Sequence, residues 1–581
     1  MLPRMKNEVC ALYNINLEDP RPEHAQGLVE IPVGELVRTR AVFKTNDAFP
    51  AHRFSPDQWD WDMDAIENKA NLVQRWKFYR YWPTSTAMLT KRSYSGALTR
   101  LRSTDIEDEY FRVDDDQLRN TFRGGIIRGG SSIGGQVQLP IVDPNAPQGE
   151  NTKVTLEHNQ KYTVDDMFCG AGGASRGVQQ AGFQLRFACD FDEAACNTYH
   201  ENFPRALLEQ MNIFEFAKSV TSMVRSDVLH ISPPCQVWSP AHTRPGQNDD
   251  ANVAALFACT EILENRRPRL STGEQTFGLL FDRNEEFFNA LIGQYTALGY
   301  SFRWDILRFK EYSVPSTRRR LIWIASCPGE PLPSFPTPTH SDTDKDLAAP
   351  VTIRSVLASI APGSQHYDRL HNVQDMLHKA RSGGRFPMPS YDDRCQAGTI
   401  TTSGSEWAHP SGRRDFTLRE LARIQGFPQE HKFVGGTTQI RRQIGNAFPP
   451  VVVETLYRHL RNCLLREDNV VTSERARQQD IITLDSDDDI GVSSVSKSRE
   501  FMIIDDSDDE RPRGRRGSVR RRVRDVSSDE CSDTTLADLI DEPAISSLFS
   551  RESSRTLSVE SLPSLIEMEV DNEHNGKRMN M

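Results

Sequence analysis

At 581 residues, with 37% hydrophobic and 26% charged residues, the chain is too long for one ordinary core and too polar to be globular throughout. The formal net charge of −11 argues against a simple polybasic nucleic-acid binder, but the acidic residues crowd toward the C-terminus and the total does not describe the rest. Ten cysteines lie scattered with no CxxC pair and no zinc spacing, no apolar signal core opens the chain, and no run approaches membrane-spanning length, so a disulfide framework, a metal centre and a membrane protein are all disfavoured.

Residues 1–150 read as a β-rich first unit. Gly27-Leu-Val-Glu-Ile-Pro32 and Glu35-Leu-Val-Arg-Thr-Arg-Ala-Val-Phe43 have extended character. Arg75-Trp-Lys-Phe-Tyr-Arg-Tyr-Trp82 interleaves aromatic and basic residues, as a strand with alternating buried rings does, and as a base-stacking surface does. Paired glycines at 124/125, 129/130 and 134/135 with prolines at 140, 144 and 147 mark an exit linker.

Val164-Asp-Asp-Met-Phe168 then reads as a strand, Cys169-Gly-Ala-Gly-Gly-Ala-Ser175 as a glycine turn, Arg176 to Gly182 as a helix, and Leu185 to Cys189 as a second strand closing on Asp190-Phe191-Asp192. Strand, glycine turn, helix, strand and acid is the nucleotide-binding βαβ pattern. Clustered glycines without the strict GxGxxG suit S-adenosylmethionine (SAM) better than a dinucleotide. Val228 to Ile231 is a buried strand that runs into Pro233-Pro234-Cys235-Gln236. Two prolines stiffen that loop and present one thiol, either a nucleophile activated by cationic neighbours or a buried structural cysteine.

The order of the later segments narrows the choice. After the proline loop come Glu274-Gln275-Thr276, Ser316-Thr-Arg318-Arg-Arg320, Phe416-Thr-Leu-Arg-Glu-Leu-Ala-Arg-Ile-Gln-Gly-Phe-Pro428 and Gln443-Ile-Gly-Asn-Ala-Phe-Pro-Pro450. This ordered set resembles the cytosine-C5 DNA methyltransferases from about Val164 to about Arg461. The resemblance implies an α/β fold, a Rossmann-like mixed sheet of the SAM-dependent methyltransferase kind with a small target-recognition insertion. It divides the chain into the first unit at 1–150, a catalytic core at 160–326, a recognition region at 327–412, a closing part of the catalytic domain at 413–466, and a tail at 467–581. It implies methyl transfer from SAM to C5 of a flipped cytosine in DNA, with Cys235 as nucleophile adding to C6. Glu274 is expected to donate to N3, and Arg318 and Arg320 to hold O2, orient the loop and favour the thiolate. Phe168, Gly170, Gly172, Gly173, Asp190, Phe191, Asn212, Ile213, Pro234, Asn446 and Phe448 are expected around the cofactor.

Four positions depart from the family pattern. Gln275-Thr276 stands where Asn-Val is usual, Ser316 replaces a glutamine, and Asn212 replaces an acid. Glu-Gln-Thr is similar to a fungal subgroup linked to premeiotic methylation and repeat-induced mutation. That implies a nuclear role in DNA methylation and repeat silencing, and leaves a weakly active silencing scaffold as an alternative. The tRNA cytosine methyltransferases share the fold, but their Cys-Phe-Thr signature is absent from the recognition region.

The tail from about Thr472 has the composition of a disordered segment. Ile481-Ile-Thr-Leu484 and Met502-Ile-Ile504, each followed by acids, resemble SUMO-interacting motifs that add a strand to a partner's sheet. Arg511 to Arg524 is a basic block suited to nuclear import.

Overall fold

The computed structural model describes residues 1–2, 7–26, 32–35, 39–47, 64, 69–90, 94–124, 126–128, 137–138, 161–219, 225–240, 246–247, 249–383 and 388–468. The SUMO-like segments, the basic block and most of the glycine-rich linker lie outside them. The described residues fall within one compact unit, Met1–Val495.

Its frame is an eleven-stranded sheet. The strands in chain order are β1 (Glu8–Asn16), β2 (Val42–Lys44), β3 (Leu72–Trp82), β4 (Ser95–Arg100), β5 (Ile126–Arg128), β6 (Val137–Gln138), β7 (Thr163–Met167), β8 (Gln184–Asp190), β9 (Leu207–Gln210), β10 (Val228–Ile231), β11 (Leu270–Gln275), β12 (Ser301–Arg308) and β13 (Arg319–Ser326). Their order is β1-β3-β4-β12-β13-β11-β10-β7-β8-β9, with β2 paired to β3 and β5 to β6 in a separate ribbon. Strands β7 to β11 pair in parallel, and β13 runs antiparallel between β11 and β12. The chain winds from β7 outward to β8 and β9 on one side and to β10 and β11 on the other. The C-terminal ends of β7 and β10 therefore flank a switch point, where α/β sheets hold their ligands. Every residue of β7, β10 and β11 is buried, as expected of parallel strands covered on both faces.

On one face, Ile262, Leu263, Leu291 and Tyr295 from the helices Cys259–Arg266 and Glu285–Ala297 pack on Phe302, Trp304 and Trp323 of the sheet. On the other, Val178 from the helix Gly173–Gln180 and Leu456, Tyr457 and Leu460 from the helix Pro450–Glu467 pack on Ile322 and Ile324. These two helices meet through Gly177. A Cβ there would lie 2.4 Å from the Pro450 carbonyl oxygen and 2.7 Å from the Glu454 nitrogen, both backbone atoms. Gly177→Ala, normally a gain inside a helix, is therefore expected to lower the unfolding free energy by about 1–3 kcal/mol, read from the shift of a denaturant midpoint.

The N-terminal strands extend the catalytic sheet. β4 pairs antiparallel with β12 (Phe302↔Leu98), so the β-rich character expected of residues 1–150 is present without a separate sheet of its own for β1 to β4. The Arg75–Trp82 stretch is β3, with Trp76, Phe78 and Trp82 buried. Residues 327–412, expected as the recognition region, contain helices Ile353–Ala358 and Val373–Ser382, which their irregular sequence did not announce. Ile353, Leu370 and Ile400 share a third core with Phe416, Ile424, Phe427 and Ile444, so residues on both sides of position 412 pack as one body.

At the opposite end of the sheet from the switch point lies a buried charge network. The Arg269 guanidinium donates to both carboxylate oxygens of Glu330 (2.8 and 2.9 Å) and to Asp468 (2.9 Å), which also accepts from the Tyr162 hydroxyl (2.6 Å). Arg119, from the helix Asp115–Phe122, reaches Glu330 (3.3 Å) and Glu467 (3.4 Å). The network joins the N-terminal unit, the root of the recognition region and the end of the final helix.

Candidate active site

Two loops leave neighbouring strands at the switch point. β7 and β10 are in register through Met167↔Ile231, after which one chain enters the glycine turn and the other the proline loop. The turn is sharp: Phe168, Gly170 and Gly172 have φ of 62°, 52° and 79°. A Cβ on Gly170 would meet nothing within 4 Å, so the turn has open space before it, while one on Gly173 would lie 2.6 Å from the Phe448 carbonyl oxygen. Gly173 thus serves close packing of the closing segment against the turn.

Asp190, at the end of β8, accepts from the Gly170 N–H (2.9 Å) and the Asp192 N–H (2.9 Å), tying turn and acid into one cradle. Burial lifts its carboxyl above the usual range despite those two bonds. Each oxygen retains lone pairs for ribose hydroxyls. Phe191 follows with its ring 62% exposed, free to stack on a base. The open turn, the anchored acid and the exposed ring fit SAM. Asn212 caps the helix Ile213–Lys218 by accepting from the Phe214 N–H (3.0 Å), and the Ile213 side chain belongs to the core. Asn446 is exposed beside the turn. The Phe448 ring is stacked on Phe309 (5.6 Å) and lies near His230, so Phe448 closes on the turn through its backbone and not its ring.

Cys235 is half-buried in the turn after Pro234, its carbonyl accepting from the Trp238 N–H (3.2 Å). Glu274, expected as an acid at the reacting base, is buried near the end of β11. Its Oε1 lies 2.9 Å from Arg320 Nε and 3.7 Å from the Arg318 guanidinium. Cys235 feels all three: burial and the Glu274 carboxylate raise its thiol pKa, and Arg320 and Arg318 lower it without offsetting that rise. The two arginines favour the thiolate, as expected of them, but desolvation wins and the resting group is the thiol. Alkylation of Cys235 by iodoacetamide is accordingly expected to speed up about tenfold per pH unit from 7 to 9, following the thiolate fraction. Peptide mapping of the modified site reads this, and a plateau below pH 8 would contradict it.

Arg318 and Arg320 face the same side, as their spacing implies, but they do different work. Arg318 is 1% exposed and donates to the carbonyls of Ile400 (3.1 Å), Gly445 (3.0 Å) and Ala447 (3.5 Å). Burial first, then neighbouring Arg320, pulls its pKa down to about 9. It ties residues 400 and 445–447 to the cluster, and Arg320 is the less buried of the two. Ser316 has a structural part, donating to the Gly398 carbonyl (3.0 Å) and accepting from the Arg318 N–H (3.3 Å).

Three supporting residues escaped the sequence reading. The Gln275 amide donates to the carbonyls of Pro233 (3.3 Å) and Pro234 (3.5 Å) and accepts from the Thr276 N–H (2.9 Å), fastening the cysteine loop to β11. His230, pushed down to about 3 by burial, links Ser232 (2.6 Å) to Thr272 (2.9 Å) beneath the same loop. His431 Nε2 donates to the Ala171 carbonyl (3.0 Å), and its Nδ1 accepts from Arg176 (3.3 Å), steadying the glycine turn. Apart from Thr276 and Ser232, their partners lie more than 40 residues away along the chain, too far for periodicity to signal them.

Residues 162–462 match the family model described as C-5 cytosine-specific DNA methylase. The chain belongs to that family. The methylase is 27% identical over 322 residues to the type II methyltransferase M.NgoFVII of Neisseria gonorrhoeae, covering 50% of this chain and 84% of the relative. It is 30% identical to M.Sau96I of Staphylococcus aureus, covering 51% and 74%. Among solved structures, it aligns with a DNA modification methyltransferase encoded within an E. coli prophage (TM-score 0.42, 21% identity, 52% of this chain and 99% of that one). It also aligns with the Entamoeba histolytica methyltransferase EhMeth (TM-score 0.38, 18% identity, 52% and 99%). The methylase is thus a SAM-dependent DNA cytosine-5 methyltransferase of mixed α/β fold. Among the described residues, no group of His, Cys, Asp or Glu is arranged to hold a metal, and no helix is long and apolar enough to cross a membrane.

Proposed function

We propose that the methylase acts through a covalent adduct between Cys235 and C6 of a cytosine flipped out of duplex DNA. The observation that carries this reading is the meeting of Cys235 with Glu274 and Arg320, on a loop leaving the strand next to the glycine turn. Flipping costs about a few kcal/mol and gives the thiol access to C6. As its sulfur bonds to C6, the Cys235 thiol gives its proton to the neighbouring Glu274 carboxylate, which passes it to N3 as the electron pair displaced from the C5–C6 bond moves onto the ring. Arg320 stabilises negative charge at O2, Glu274 sits against the N3 edge, and C5 becomes enamine-like. Bound SAM supplies an electrophilic methyl group. Loss of the C5 proton and rupture of the sulfur–C6 bond then release the base. Asp190 and Phe191 orient the cofactor, and Gln275 holds the nucleophile's loop.

The test is transfer of label from SAM to a cytosine-rich duplex, with an RNA transcript of the same sequence alongside. Labelled 5-methylcytosine in DNA alone is the expected result; label in RNA alone overturns it. The Glu274-Gln275-Thr276 triplet supports membership of the fungal repeat-induced-mutation subgroup, and with it a nuclear role in repeat silencing. Arg511–Arg524 would direct import, and Ile481–Leu484 and Met502–Ile504 would engage SUMO-bearing partners. Import of the full chain with Arg520, Arg521 and Arg522 replaced by alanine tests the first; unchanged import removes it.

A further inference from the structure

We infer that the Thr276 hydroxyl is a substrate contact, hydrogen-bonding the polar edge of the extruded base beside Glu274. The inference rests on the base-flipping reading above.

At and around Glu274, four buried polar atoms have no hydrogen-bond partner: Glu274 Oε1, Thr276 Oγ1, Arg318 Nε and Arg320 Nε. Arg320 Nε lies close to Glu274 Oε1, yet the pair is not aligned as a hydrogen bond. Unmatched buried donors and acceptors cost free energy, so their gathering in one place marks where a polar ligand completes the set. Thr276 is the most telling member. Its N–H is taken by the Gln275 side chain and its carbonyl by the Leu279 N–H (3.2 Å), which leaves only the hydroxyl unmatched, on a residue 4% exposed.

Its direction follows from the strand. Glu274 and Thr276 are two apart in extended chain, with Thr276 at φ −67° and ψ 143°, so their side chains share a face. Gln275 points the other way, into the proline loop. β11 and β13 run antiparallel and their last pair is Gln275 opposite Leu321; carried one residue past that pair, the register puts Thr276 beside Arg320. Carboxylate, hydroxyl and guanidinium thus line one wall. A hydroxyl both donates and accepts, and can match whichever ring atom lies next to those served by Glu274 and Arg320. The family pattern places an apolar valine here, so this contact belongs to this chain.

The experiment measures affinity for a duplex carrying mismatched cytosines, whose weakened pairing lowers the cost of extrusion, and for the same duplex with abasic sites in their place. Wild type, Thr276→Val and Thr276→Ser are compared, all with S-adenosylhomocysteine present. Valine keeps the shape and removes the hydroxyl. About a tenfold loss on the cytosine duplex, none on the abasic duplex, and wild-type behaviour for serine are expected. Equal loss on both duplexes, no loss with valine, or a wild type that does not distinguish cytosine from an abasic site overturns the inference. Binding on the abasic duplex also reports folding. No methyl transfer is required, so failure of the covalent reading is seen separately, in the transfer assay.

Discussion

Replacing Cys235 by alanine is expected to abolish the cross-link that wild-type protein forms with DNA containing 5-fluorocytosine. Fluorine at C5 cannot leave as the natural proton does, so an adduct that has reached that stage is trapped. The half-buried thiol sits on a loop braced by two prolines and the Gln275 amide, with Arg320 and Glu274 against it. Alanine leaves that brace intact and removes only the sulfur. Methyl incorporation should then fall by about 10⁴-fold or more, the scale on which loss of a covalent nucleophile is felt, while SAM affinity stays unchanged. Denaturing gels read the cross-link and isothermal titration reads the cofactor. A cross-link that survives the change would remove Cys235 from the reaction. Gln275→Ala differs in kind. The sulfur remains but its mount loosens, so the cross-link should form slowly.

The second large effect concerns stability. Arg269→Ala leaves the carboxylates of Glu330 and Asp468 buried without the guanidinium that engages them at 2.8 to 2.9 Å. Unpairing a buried ion in this way costs about 3–5 kcal/mol. Because Arg119 shares Glu330, the loss should reach the N-terminal helix as well as the recognition region. Equilibrium unfolding in denaturant measures the change, and a cost below about 1 kcal/mol would mean that water screens the network as it screens surface pairs.

Much of this was legible in the sequence because the informative segments are local. The strand Val228–Ile231 has the boundaries its apolar run implies, and Thr163–Met167 and Gln184–Asp190 fall within two residues of their expected limits. Glycine, proline and apolar runs act over a few residues, and the eye reads them directly. Cys235, Glu274 and Arg320 come together as the order of motifs implies. What stayed hidden depends on distant partners. The sequence places Arg318 beside Arg320 but says nothing of the carbonyls at 400, 445 and 447 that take up its guanidinium. The resting protonation of Cys235 stays hidden for a related reason. Charged neighbours can be counted along a sequence, but the burial that outweighs them belongs to the packed structure. The β4–β12 pairing likewise joins segments some 200 positions apart in chain numbering, and no local pattern encodes it.

That pairing has a practical result. Without β3 and β4, the backbone donors and acceptors of Phe302–Trp304 would face solvent, and Phe302 and Trp304 would lose their cover from Leu98 and Phe78. A bare edge of this kind recruits strands from other molecules. The leading strands thus act as a stopper against self-association, and a fragment trimmed to the homologous half should precipitate where the full chain stays dispersed.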